Sequence, residues 1–200
     1  IMKFDLRQLL FISFALSGMA ALMYQVVWIR VLKLFFGSTS FSVSLMLTSL
    51  IFGFALGSYL FRKKADSYAR PVFLFFIIEL VIGIYGVFII SFFNILPFTI
   101  FSLLIPFRYV VIFLLLLTPS VLLGALWPVV HKLYVENVGE IGKDAGTLYF
   151  GNSMGSALGA FSSGFLLIPI FGVTATSLFA SFINILIAVS FLSIRGRFGK

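Results

Sequence analysis

The sequence has no cysteine, one histidine, six acidic residues and little charge of any sign, since Asp, Glu, Lys and Arg together make up 10% of its 200 residues. Without thiols there are no disulfides and no thiolate metal sites. His131 has no second His or acid at ligand spacing, so no metal is expected, and beside Lys132 it reads as an interfacial residue. A Ser-His-Asp arrangement, paired carboxylates, an HExxH helix and a G-x-x-x-x-G-K-[ST] loop are all missing. Catalysis, ATP-driven work and a cofactor are therefore not expected of these residues.

Apolar residues fill the space left by charge. They make up 62% of the chain, and mean hydropathy is +1.20. A soluble domain carries about 25% charged and about 45–50% apolar residues. A water-soluble fold of this length could not hide the surplus, so the lipid bilayer has to be the solvent. The net charge of +8 and the pI of about 10 would suggest nucleic acid in a soluble protein. Here the bases sit between apolar runs, where they report orientation and contact with anionic headgroups, and no nucleic-acid partner is expected.

A membrane span needs about 20 mainly apolar residues. Six such spans are expected, at 9–30, 41–61, 72–93, 109–130, 145–170 and 173–194, forming one all-α transmembrane domain over 1–200. The first is too long for a signal-peptide core and has no A-x-A-like site behind it, so it should stay as a helix. Ile1 precedes Met2, as in a chain that begins behind a tag or inside a longer protein. The piece 95–107, bracketed by Pro97 and Pro106, is too short to cross and reads as interfacial or re-entrant. Pro119 and Pro128 should bend the fourth span, and Phe171-Gly172 makes a tight corner between the last two.

With the N-terminus inside, the inner segments hold Lys3, Arg7, Arg62, Lys63, Lys64, Arg70, Lys132, Lys143, Arg195, Arg197 and Lys200, eleven bases against Arg30, Lys33 and Arg108 outside. This bias places both termini in the cytoplasm, in what is expected to be a prokaryotic cytoplasmic membrane, and requires an even number of spans.

Between lipid-bathed helices, small residues mark where backbones approach. Gly151, Gly155, Gly159 and Ser163 lie four apart on one face, with Ala157, Ala160 and Gly164 widening the strip; Gly53 and Gly57 make a shorter version. Simple helix packing and a sliding surface for a rocking transporter both fit that spacing. The 27 phenylalanines read as packing and lipid contact.

Ionisable groups inside spans are costly and are functional candidates by default. At about 1.5 Å per residue, Glu79 sits ~11 Å beyond the cytoplasmic start of its helix, Asn152 ~10 Å into the fifth span and Asn184 ~15 Å from the cytoplasmic end of the sixth. The three are expected to converge on one layer. No Lys or Arg shares it, so Glu79 either binds a cation or is protonated. A proton-coupled or cationic-substrate site fits, as does a neutral Glu tied to an Asn or a carbonyl and holding helices together. Tyr24, Gln25, Trp28 and Arg30 form a second cluster near the outer end of the first span. Tyr24, Gln25 and Arg30 join Glu79, Asn152 and Asn184 as expected substrate-binding residues. Interface anchoring would equally account for Tyr24 and Trp28, and snorkelling for Arg30, while Gln25, one turn below Arg30, is harder to dismiss.

Several motifs occur together and in order. They include Gly18-Met19-Ala20-Ala21-Leu22-Met23-Tyr24-Gln25-Val26-Val27-Trp28-Ile29-Arg30, Phe36-Gly37-Ser38-Thr39, Gly53-Phe54-Ala55-Leu56-Gly57-Ser58-Tyr59 with Asp66, and Leu123-Gly124-Ala125 before Pro128. Gly146-Thr147-Leu148-Tyr149, Asn152-Ser153-Met154-Gly155, Gly159 and Gly164-Phe165-Leu166-Leu167-Ile168-Pro169 continue the series. Together they resemble the membrane half of the spermidine synthase-like proteins, in which a transporter-like helical region is often fused to a soluble aminopropyltransferase-like domain. The resemblance carries Tyr24, Gln25, Arg30 and Asn152 as family-pattern positions without assigned roles, and does not obviously carry Glu79. The soluble half, with its Gly-rich loop for a nucleoside cofactor, has no counterpart in these residues, so they are not expected to transfer aminopropyl groups.

The expected protein is thus a six-span bundle, with two groups of three as one arrangement and a half-transporter that pairs as a homodimer as the analogy. The expected activity is binding or transport of a small cationic solute, polyamine-like by the resemblance. The alternative is a membrane scaffold for a separate soluble synthase-like enzyme.

Overall fold

The computed structural model describes residues 6–95, 107–135 and 138–198. Among them every regular element is helical: α1 Leu6–Phe36, α2 Thr39–Ser67, α3 Pro71–Ile95, α4 Arg108–Tyr134, α5 Ile141–Phe161 and α6 Ile168–Phe198. A 3-10 turn, Val138–Glu140, leads into α5, and a π-helical turn, Ser162–Leu167, joins α5 to α6. Apart from its two end residues, the expected interfacial piece 95–107 lies outside the described residues.

Among the described residues five helical stretches, not six separate ones, are long and apolar enough to cross a membrane. The expected spans 145–170 and 173–194 lie in one run, Ile141–Leu192, because no polar loop separates them. That run bends back at Gly172, whose φ of 81° and ψ of 173° belong to a region open to glycine alone. The helices also outrun the apolar segments; α1 continues past Arg30 to Phe36, where Gly37, at φ 67°, ends it. Ser38 then caps α2, and Pro71, which lacks an N–H to lose, opens α3.

Side-chain pairings fix the helix directions. Arg7 pairs with Asp144 and Arg30 with Gly164, so α1 and α5 run parallel. Phe35 meets Phe93 and Tyr24 meets Gly86, which sets α3 parallel to α1. Phe41–Tyr109 and Lys132–Ala65 set α4 parallel to α2, while Phe14–Trp127 and Phe36–Tyr109 oppose α4 to α1. Phe75–Phe191 and Asn94–Thr174 oppose α6 to α3. As a result Arg7, Arg62, Lys63, Lys64, Arg70, Lys132 and Lys143 gather at one end of the bundle, and Arg30, Lys33 and Arg108 at the other.

Prolines inside helices orphan carbonyls, and an orphan in lipid costs several kcal/mol. Each is met from a neighbouring helix. Pro119 frees the Leu115 carbonyl, which accepts from Tyr85 Oη of α3 at 3.0 Å. Pro128 frees that of Gly124, which accepts from Ser58 Oγ of α2 at 2.9 Å. In the π turn the Ile168 N–H reaches back to Ser163 O, so the next carbonyl, Gly164 O, would need an N–H that Pro169 lacks. Arg30 Nη2 donates to it at 3.0 Å. Lys132 Nζ in turn donates to Ala65 O and Asp66 O at the end of α2.

The small-residue strips pack helices together. Gly151, Gly155 and Gly159 lie against Phe11, Ala15 and Met19 of α1, and Ser163 is buried beside them. Ala157 is exposed, so the strip is narrower than expected. Gly53 and Gly57 face Ser120 and Val121 of α4, and Gly124 returns the contact against Phe54. Phe150, Phe161, Phe165 and Phe171 point outward, as lipid contact requires.

Candidate functional site

Glu79 has no exposed surface. It lies on α3, facing α6 and α1, and two glycines on α3 bring those helices close. A Cβ on Gly83 would meet Ile185 at 2.8 Å, and one on Gly86 would meet Ser181 Oγ at 2.6 Å. The gap is filled by polar side chains instead. Asn184 Nδ2 donates to Glu79 Oε2 at 2.8 Å, and the Ser17 hydroxyl approaches the same carboxyl group from α1. Farther along, Tyr24 Oη donates to Ser181 Oγ at 3.0 Å, and Ser181 Oγ donates to Ser177 O at 3.1 Å. Tyr24 stacks on Trp28 with ring centroids 5.1 Å apart.

This seam keeps several buried polar atoms unpaired. Among the described residues five buried side-chain polar atoms have no hydrogen-bond partner. Glu79 Oε1, Asn184 Oδ1 and Ser177 Oγ lie on α3 and α6, Trp28 Nε1 is on α1 beside Tyr24, and Arg108 Nε is elsewhere. Glu79 Oε1 and Asn184 Oδ1, two buried acceptors without a donor, attract a proton, a cation or the hydrogens of water.

The expected convergence of three polar groups holds for two. Glu79 and Asn184 touch, but Asn152 is turned to another side of α1, where its Nδ2 donates to Phe14 O at 3.0 Å and its side chain fills the notch left by Gly18. Helical rise put Asn152 at the level of Ser17 on α1 but could not set its rotation. Tyr24 leaves the outer cluster to which the sequence assigned it and joins the Glu79 seam. Gln25 is buried, and Arg30 reaches the π turn.

No family model, curated protein or solved structure matches this chain. The site therefore rests on its own geometry.

Sequence reasoning missed Ser17 on α1, and Ser177 and Ser181, whose 4,3 spacing with Asn184 on α6 was the available signal. It also missed Gly83 and Gly86, which are three apart and so escape a search for four-residue repeats. Asp144, 2% exposed, pairs with Arg7, whose guanidinium lies 4.6 Å from the centre of the Tyr134 ring. This ties α1, α4 and α5 at the basic end, a role that counting Arg7 as a topology marker did not suggest.

Proposed function

We propose that this is a six-crossing membrane protein with both termini cytoplasmic, and that it binds and moves a small cationic solute at Glu79. The observation that carries the reading is the intramembrane carboxyl group with one oxygen held by Asn184 and the other unpaired. An acid placed there only as glue would have its second oxygen satisfied, as the orphan carbonyls of this bundle are.

Length and direction support six crossings. A straight run of 52 residues would span about 78 Å, against a hydrocarbon core of about 30 Å. A break at Gly172, with its two arms opposed, turns that run into two crossings. The basic end, with the larger number of Lys and Arg, is the cytoplasmic one.

The resemblance of the motifs points to a polyamine-like solute, with proton and solute alternating at the one acid and Asn184 donating to the carboxyl group. Glu79→Gln keeps shape and most hydrogen bonding but removes the titratable charge. The variant is expected to fold normally and to lose binding by calorimetry and uptake in proteoliposomes, across a panel of polyamines and monovalent cations at several pH values. Unaltered binding and uptake at every pH would sink the proposal.

A further inference from the structure

A cavity of about 50 Å³ lies on another side of α1 from Glu79, between α1, α2, α4 and α5. Phe14, Leu22, Phe54, Leu123 and Trp127 supply apolar wall, and three polar side chains face in: Ser17, Asn152 and Ser156. A buried water needs about 10–15 Å³ of such space and typically makes about three hydrogen bonds. Asn152 Nδ2 and Ser156 Oγ already donate to Phe14 O and Gly18 O, leaving Asn152 Oδ1 and the Ser156 oxygen as acceptors. A water donating to both can accept from the Ser17 hydroxyl. Ser17, 1% exposed, also stands level with Glu79, since Tyr24 and Gly86, each seven residues farther along the parallel helices α1 and α3, meet.

We infer that this cavity is a bound-water site and that Ser17 passes protons between its water and Glu79. The inference deepens the reading of Glu79 as a site where proton and solute exchange, and rests on it. In the transfer, Ser17 Oγ takes a proton from hydronium in the cavity as its own hydroxyl proton passes to Glu79, so one O–H bond forms at the serine as the other breaks, water is left behind and the carboxyl group becomes the neutral acid. The hydroxyl then rotates back toward the water, and the return path reverses the exchange. The groups facing Glu79 are Tyr24 and Ser17 from α1 and Asn184 from α6. Tyr24 is the titratable one, and it is engaged with Ser181.

The test reads the proton and not the solute. In reconstituted protein, the infrared carboxyl band that disappears in Glu79→Gln is followed during exchange of H₂O for D₂O. Ser17→Ala, and separately Ala21→Val, which fills the cavity with methyl groups and leaves Ser17 in place, are each expected to slow its exchange about tenfold or more. Exchange at the wild-type rate in either variant overturns the relay, and so does the absence of any band assignable to Glu79. Calorimetry with the cation panel, run on the same samples, reports separately whether the solute site survives.

Discussion

Two seams of this bundle use the same device, glycines that let helices touch, and they end in opposite states. Between α1 and α5, Gly155 and Gly159 bring backbone against backbone, Gly151 lies against the Phe11 ring, and the polar side chains alongside are paired, Asn152 to Phe14 O and Ser156 to Gly18 O. Between α3 and α6, Gly83 and Gly86 bring backbone against side chains, and Glu79, Asn184 and Ser177 each keep an unpaired oxygen. Small residues tell where helices meet; the pairing of the polar atoms beside them tells whether the meeting is structural. In lipid, with no water to compensate, that second question carries several kcal/mol per group.

The contrast can be broken from either side. The largest effect is expected for Gly155→Leu, since the new side chain would start inside the Ala15 carbonyl of α1. It should abolish a monodisperse, cooperatively melting protein in detergent. Gly139→Leu, where a Cβ meets nothing within 4 Å, should behave as wild type. Equal behaviour of the two would remove close packing from the α1–α5 seam. Gly86→Val comes next. Its obstacles are the ends of Tyr24 and Ser181, which can rotate away, so overpacking of about 1–3 kcal/mol is expected and the protein should still fold. A collapse as complete as that of Gly155→Leu would show the two seams to be equally rigid.

The smallest effects sharpen the comparison most. Asn152→Ala removes one paired interhelical hydrogen bond and should cost about 0.6 kcal/mol, at most about 1.7. Glu79→Gln keeps an acceptor for Asn184 Nδ2 while removing the titratable charge, and should leave thermal stability unchanged or raise it, while cation binding is lost. A Glu79→Gln variant that melts well below Asn152→Ala would make Glu79 the structural partner and reverse the assignment of the two seams.

Much of this was legible in the residues. Hydropathy located the apolar segments because lipid imposes length and composition on each of them, and the depth of Glu79 and Asn184 followed from helical rise. The run through Phe171-Gly172 was legible as a tight corner between two helices, but the π turn ahead of it was not. Rotation was not legible: Asn152 stands at the level of Ser17 yet faces Phe14 O, since which way a helix turns depends on neighbours far away in sequence. Tyr24 read as an interface anchor for the same reason, because an aromatic near a span end looks alike from either side until Ser181 is placed against it.

The prolines of α4 leave a trace in the history open to this chain. Leu115 depends on Tyr85 only because Pro119 took away its own partner, and Gly124 depends on Ser58 only because of Pro128. Each proline and its distant hydroxyl are therefore bound in a one-way order of inheritance. A lineage that first replaces the proline regains an N–H and frees the hydroxyl to drift, whereas one that first loses the hydroxyl strands a carbonyl and is selected against. The hydroxyl has to be gained before the proline and lost after it, so descendants should retain Tyr85 or Ser58 without the proline far more often than the proline without its hydroxyl.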